Sequence, residues 1–158
     1  MSTEVLPSNQ RHVHSVHSTD HVSTTRAATY LVPLGRLFFA LLFLQAVPMH
    51  FTSQGIAYAA QAGVPLPNVL VPLSGILALV GGLSVAFGFR ARIGALLLIL
   101  FLVPVTLTMH AFWAVPTTEL ARMQMVMFMK NLSILGGAVL IAYFGAGPIS
   151  IDAQRGHY

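Results

Sequence analysis

Four apolar stretches of bilayer-crossing length decide what this chain can fold into. They cover about residues 31–49, 69–89, 93–112 and 125–146. A helix needs about 20 apolar residues to cross a hydrocarbon core. Inside lipid every backbone N–H and C=O must be bonded within its own segment, so at this length only helices qualify. The second stretch carries no charged residue, and the third carries none if His110 is neutral. The chain is 56% hydrophobic and 8% charged, against about 25% charged in a soluble domain. Such a chain has too little polar surface to cover itself in water. The expected fold is all-α: an integral membrane four-helix bundle over residues 30–152.

Residues 1–29 are rich in Ser, Thr and His. No apolar run follows a basic start there, so they do not read as a signal peptide. They are expected to form a disordered cytoplasmic tail, with 153–158 as a short C-terminal one. Lys and Arg beside the spans set orientation. Arg26, the Arg90–Arg92 turn and Arg155 fall on one side, and the opposite loops hold Arg122 beside Glu119. The expected location is the inner membrane of the cell, multi-pass, with both termini cytoplasmic.

Several classes of chemistry are excluded. There is no cysteine, so a disulfide framework, a CxxC pair and thiolate metal ligation are absent. No Walker loop, nucleophile elbow, HExxH or dinucleotide fingerprint occurs. The acidic residues are Glu4, Asp20, Glu119 and Asp152, which argues against paired-carboxylate catalysis, and no catalytic residue is assigned. The net charge is +4 with scattered basic residues, so no nucleic-acid partner is expected.

Finer features follow from the residues. Pro33 and Pro72 suit first-turn positions. Pro104 lies within the third span and should free the Leu100 carbonyl and kink the helix. Residues 54–61 read as a short interfacial helix, and Thr117 or Thr118 as the cap of a helix running into the fourth span. Ser74, Ala78, Gly82 and Ala86, and also Ser133 and Gly137, form small-residue stripes for helix contact. A homo-oligomer interface is the alternative reading of these stripes.

Polar residues in the spans are the candidate site. Arg36 reads as a snorkelling side chain. Gln45, His50, His110, Lys130 and Asn131 all fall toward the outer side, and His110 shares a helix face with Trp113. The expectation is an outer polar pocket in which His110, Lys130 and Asn131 converge with Gln45 or His50 opposite. It would be either a structural network or a ligand site. In a quinone site His110 would donate, Trp113 stack and Lys130 stabilise the reduced oxygen. Met49, Met109, Met123, Met125, Met127 and Met129 lie on the same side. Thioethers suit Cu(I), but alternate helix residues diverge, so copper is not expected and no metal ligands are assigned. His12, His14, His17 and His21 in the tail would chelate weakly or stay inert.

The runs GRLFFALLF, AGVP, MHAFW, FMKNLSILGG and GAGPISID resemble the DoxX family, over about residues 30–152 and most specifically 130–152. That family comprises small four-helix membrane proteins. A founding member is a subunit of an archaeal thiosulfate:quinone oxidoreductase. The resemblance implies an accessory subunit of a membrane redox complex, with quinone as candidate cofactor and with membrane lipid and a membrane or peripheral redox protein as partners. Two departures stand out: His50 where many members carry Lys, and Ala78 where many carry Glu. The alternatives are an interaction or scaffold protein without a cofactor and, more weakly, a small transporter.

Overall fold

The computed structural model describes residues 29–156. Expectations for the N-terminal tail and its four histidines lie outside the described residues. Among these residues all regular structure is helical, and four segments are long and apolar enough to cross a membrane. The first span is α1 (Leu31–Leu44) continued by a 3₁₀ turn, Val47–Phe51. A short α2 (Ser53–Gln61) follows, then α3 (Pro67–Phe87), α4 (Ala91–Met109), a 3₁₀ turn (Phe112–Ala114), α5 (Thr118–Phe144) and a single-turn α6 (Ile151–Gln154).

The first span does not stay α-helical to residue 49. Pro48 has no N–H to give the carbonyl four residues back, and the chain tightens to three-residue spacing. Ala46 N–H donates to the Phe43 carbonyl at 3.0 Å and Met49 N–H to that of Ala46 at 3.2 Å. Thr52 then turns extended, and its hydroxyl accepts from Gly55 N–H at 3.0 Å to cap α2. Thr117 caps α5 in the same way, accepting from Leu120 N–H at 3.3 Å.

Pro72 is not in a first turn. Pro67 takes that place, so Pro72 lies inside α3. α3 stops at Gly88, whose φ of 63° is a left-handed value open to glycine without penalty.

α3 packs between α1 and α4, and α4 packs between α3 and α5. The core between them is Phe43, Ala78, Val85, Ala95, Leu98, Phe101 and Leu102. α3 uses two tight faces because it has two neighbours. A Cβ on Gly75 would lie 2.6 Å from that of His50, and one on Gly81 would lie 2.9 Å from the Gly94 carbonyl oxygen. Of the predicted stripe, Ala78 and Gly82 are buried, while Ser74 and Ala86 are only half-buried.

The C-terminal segment closes the end of the bundle that carries Arg36 and Arg90. After α5 the chain turns at Gly145 and Gly147, both at positive φ, and folds back across the spans. Arg36 donates to the carbonyls of Ala146 and, at 3.0 Å, Ile149. Its exposure is 5%, which corrects the snorkelling reading: the guanidinium is drawn inward by carbonyls that the returning chain presents. The Asp152 carboxylate accepts from the N–H groups of Arg90 at 2.7 Å and Ala91 at 2.9 Å. It thereby caps the start of α4, where a negative charge is favoured. Asp152 N–H donates to the Gly88 carbonyl at 2.8 Å.

Candidate functional site

At the other end of the bundle a cavity of about 630 Å³ opens between α3, α4 and the outer connection. Two local features produce it: the 3₁₀ turn swings His50 under α2, and Gly75 lets that ring lie against α3. Pro104 lies on the wall without breaking α4, which stays helical from Ala91 to Met109. Leu73 and Leu100 stand at the rim and are 48% and 59% exposed on the lipid side of the bundle. Phe101 forms part of the wall, with its ring centre 5.6 Å from that of His50.

The polar groups lining the cavity are mostly occupied. Ser74 Oγ donates to the Val71 carbonyl at 2.7 Å, and Thr108 Oγ1 to that of Pro104 at 2.8 Å. His50 Nδ1 lies 2.9 Å from the Ala46 carbonyl. A carbonyl only accepts, so Nδ1 carries the hydrogen, and in the neutral ring Nε2 is left as an acceptor. The wall is apolar in effect, with one imidazole acceptor and the Tyr58 hydroxyl on it.

The polar residues expected to converge do not. His110 and Asn131 lie on the α4–α5 seam. His110 Nδ1 is 2.8 Å from Gln124 Oε1, and Asn131 Nδ2 donates to Thr106 Oγ1 at 3.1 Å. His50 lies instead at the cavity. Lys130 is exposed and makes no hydrogen bond or ion pair with the described residues. Gln45 is exposed too, and Trp113, 59% exposed, sets its ring edge-on to Phe112 and Phe128. The reason is helical geometry. Lys130 and Asn131 are consecutive, so they point about 100° apart, and burying Asn131 turns Lys130 toward lipid. Met49 and Met109 border the cavity, whereas Met123, Met125 and Met129 are exposed.

Gln124 and Thr106 were not singled out in the sequence. Gln124 lies one residue before the expected fourth span. Thr106 looks like a side chain bonded to its own helix, and its hydroxyl does donate to the Leu102 carbonyl, at 2.6 Å.

The seam and the lysine give opposite expectations. Thr106→Val removes the partner of the buried Asn131 and should cost about 1 kcal/mol, within the range of hydrogen bonds between membrane helices. Lys130→Met should leave stability unchanged or raise it slightly. Unfolding in bicelles by added anionic detergent measures both, and the reverse order would refute this reading of the seam.

A profile of the SURF4 family matches residues 8–158. The chain belongs to the SURF4 family. It is 32% identical to the inner membrane protein YqjF of Escherichia coli K12 over 121 residues, 77% of this chain and 88% of that one. It is 28% identical to the inner membrane protein YphA of the same organism over 99 residues, 63% of this chain and 70% of the relative. A Surfeit locus protein 4 homolog of Schizosaccharomyces pombe is 28% identical over 138 residues, 87% of this chain but 41% of its own length. No solved structure matches. This SURF4-family protein is thus a multi-pass membrane protein of the type its E. coli relatives place in the inner membrane.

The DoxX resemblance is corrected by this match, and the redox-complex subunit and quinone readings fall with it. The run that carried most of the resemblance has a structural explanation. In GAGPISID, Gly145 and Gly147 turn the chain, Ser150 caps α6 and Asp152 caps α4. These residues close a SURF4-family bundle and carry no signature of electron transfer.

Proposed function

We propose that this SURF4-family protein binds an amphiphile by taking its apolar chain into the cavity between α3 and α4. One observation carries the reading: the cavity is apolar over most of its wall and its rim, at Leu73 and Leu100, faces lipid. Its volume of about 630 Å³ lies in the roughly 300–1,000 Å³ range of sites for small molecules. Hydrocarbon can enter from the bilayer without crossing water, and the gain comes from packing against Leu73, Leu77 and Phe101 in place of mobile lipid.

Ser74→Phe tests it. Ser74 is half-buried on the wall, and its hydroxyl serves only its own helix, so a phenyl ring there fills the cavity without breaking a contact between helices. Native mass spectrometry of protein extracted in mild detergent should find amphiphile retained by the wild type and lost from Ser74→Phe, with thermal stability unchanged or higher. Equal retention by both would refute the reading.

We also place both termini and the Arg90–Arg92 turn in the cytoplasm. In support, the fold gathers Arg36, Arg90 and Arg155 at one end, and excess Lys and Arg marks the cytoplasmic side. Reporter fusions after residue 158 and between Arg90 and Arg92 should both report cytoplasm. An external signal from either would reverse the orientation.

A further inference from the structure

A second cavity, of about 540 Å³, lies against α2 and shares Met49, Gly55 and Tyr58 with the first. The two therefore meet around one short helix at the membrane boundary. The second is bordered by Gln54, Tyr58 and Gln61. These residues stand at i, i+4 and i+7, so they form a single stripe on α2. All three are exposed, and none of the three side chains makes a hydrogen bond to the described residues. A carboxamide both donates and accepts, so the stripe offers two such groups and a phenol beside a cavity that suits a hydrocarbon chain.

No Lys, Arg, Asp or Glu borders either cavity. Recognition of a carboxylate or phosphate head group relies on Arg or Lys. The four basic residues of the spans border neither cavity: Arg36 is buried under the C-terminal segment, Arg92 is in the first turn of α4 at that same end, and Arg122 and Lys130 are on α5. An anionic head placed at α2 would give up water without gaining a counter-charge, whereas a hydroxyl or amide head would exchange its water hydrogen bonds for those of Gln54 and Gln61.

We infer that the bound amphiphile has an uncharged, hydrogen-bonding head, held by Gln54, Tyr58 and Gln61. This rests on the chain-binding reading above and adds the chemistry of the head. The probes are monoolein and oleate, the latter at alkaline pH where it is ionised, added to the full-length protein in uncharged detergent. The readout is the rise in unfolding temperature that any ligand of the folded state produces. Monoolein should act at about tenfold lower concentration than oleate, equivalent to about 1.4 kcal/mol. The doubly substituted Gln54→Leu, Gln61→Leu protein should lose that preference while still responding to both probes. The exposure of these residues means that the substitution leaves the fold intact. Ser74→Phe should abolish both responses. If wild type answers oleate as strongly as monoolein, or if the double variant keeps the preference, the head assignment fails and chain binding stands. If wild type answers neither probe, the cavity reading fails and the head assignment with it.

Discussion

Asp152→Ala is expected to cost the bundle about 1–3 kcal/mol, the range for leaving buried hydrogen-bond donors unsatisfied. Two hydrogen bonds are lost, and the segment they hold is loosened. The N–H groups of Arg90 and Ala91, which now donate to the two carboxylate oxygens at 2.7 and 2.9 Å, become unpaired donors at a helix start. Arg36 remains buried, and its acceptors, the carbonyls of Ala146 and Ile149, lie on the segment that Asp152 anchors. The returning segment keeps the bond from residue 152 N–H to the Gly88 carbonyl but loses the side chain that pins it to α4. Asp152→Asn separates these contributions. It keeps an oxygen for one backbone donor, sets an NH₂ against the other and removes the charge, so its cost should fall between wild type and alanine. Equilibrium unfolding in bicelles gives both values. An alanine cost below about 1 kcal/mol, typical of a solvent-exposed cap, would mean that the segment does not close the bundle as described.

Arg36 should behave as the other half of this arrangement, and here the sequence misled for a physical reason. A lone arginine near the end of an apolar helix reads as snorkelling because nothing nearby in sequence can pair with it. Its acceptors are the carbonyls of Ala146 and Ile149, more than a hundred residues away and invisible as side chains. Backbone acceptors leave no trace in composition or spacing.

The same contrast runs through the rest of the molecule. The four-span, all-helical character was legible because hydrocarbon imposes it on any stretch of that length and apolarity. The level of the polar residues along the spans was partly legible, since His50, His110 and Asn131 do lie in the same half of the bundle. What could not be read was their direction around each helix. Every stretch is apolar on all sides, so the usual periodic signal for an inward face is missing. Only packing decides that Asn131 turns to Thr106 and Lys130 to lipid. The cavity was illegible for a related reason: it forms beside the 3₁₀ turn at Pro48, and it is lined by residues indistinguishable from ordinary core. The DoxX assignment erred on residues that turn and cap the chain, features that unrelated bundles can share.

Gly94→Leu is expected to cost several kcal/mol, at or above the roughly 1–3 kcal/mol of ordinary overpacking, and Gly136→Leu almost nothing. Both glycines lie within spans and look alike in sequence. A Cβ on Gly94 would overlap the Ser84 side chain, 2.6 Å from its Cβ, and would sit 3.0 Å from the Gly81 carbonyl oxygen. Neither neighbour can move away without moving helix α3, because one is backbone and the other branches directly from it. A Cβ on Gly136 meets nothing within 4 Å, so leucine there projects into lipid and gains helix propensity of up to about 1 kcal/mol. The same detergent-driven unfolding in bicelles compares them, and equal costs would show that α3 and α4 do not cross at Gly81 and Gly94. The crossing matters beyond stability. Toward the outer end, α3 and α4 are the two walls of the amphiphile cavity, and their separation is set by how closely Gly81 and Gly94 allow the backbones to approach. Forcing the helices apart at that point should widen the cavity at Leu73 and Leu100. In protein that still folds, a Gly94→Ala variant should therefore release bound amphiphile sooner than wild type, although none of its atoms touches the site.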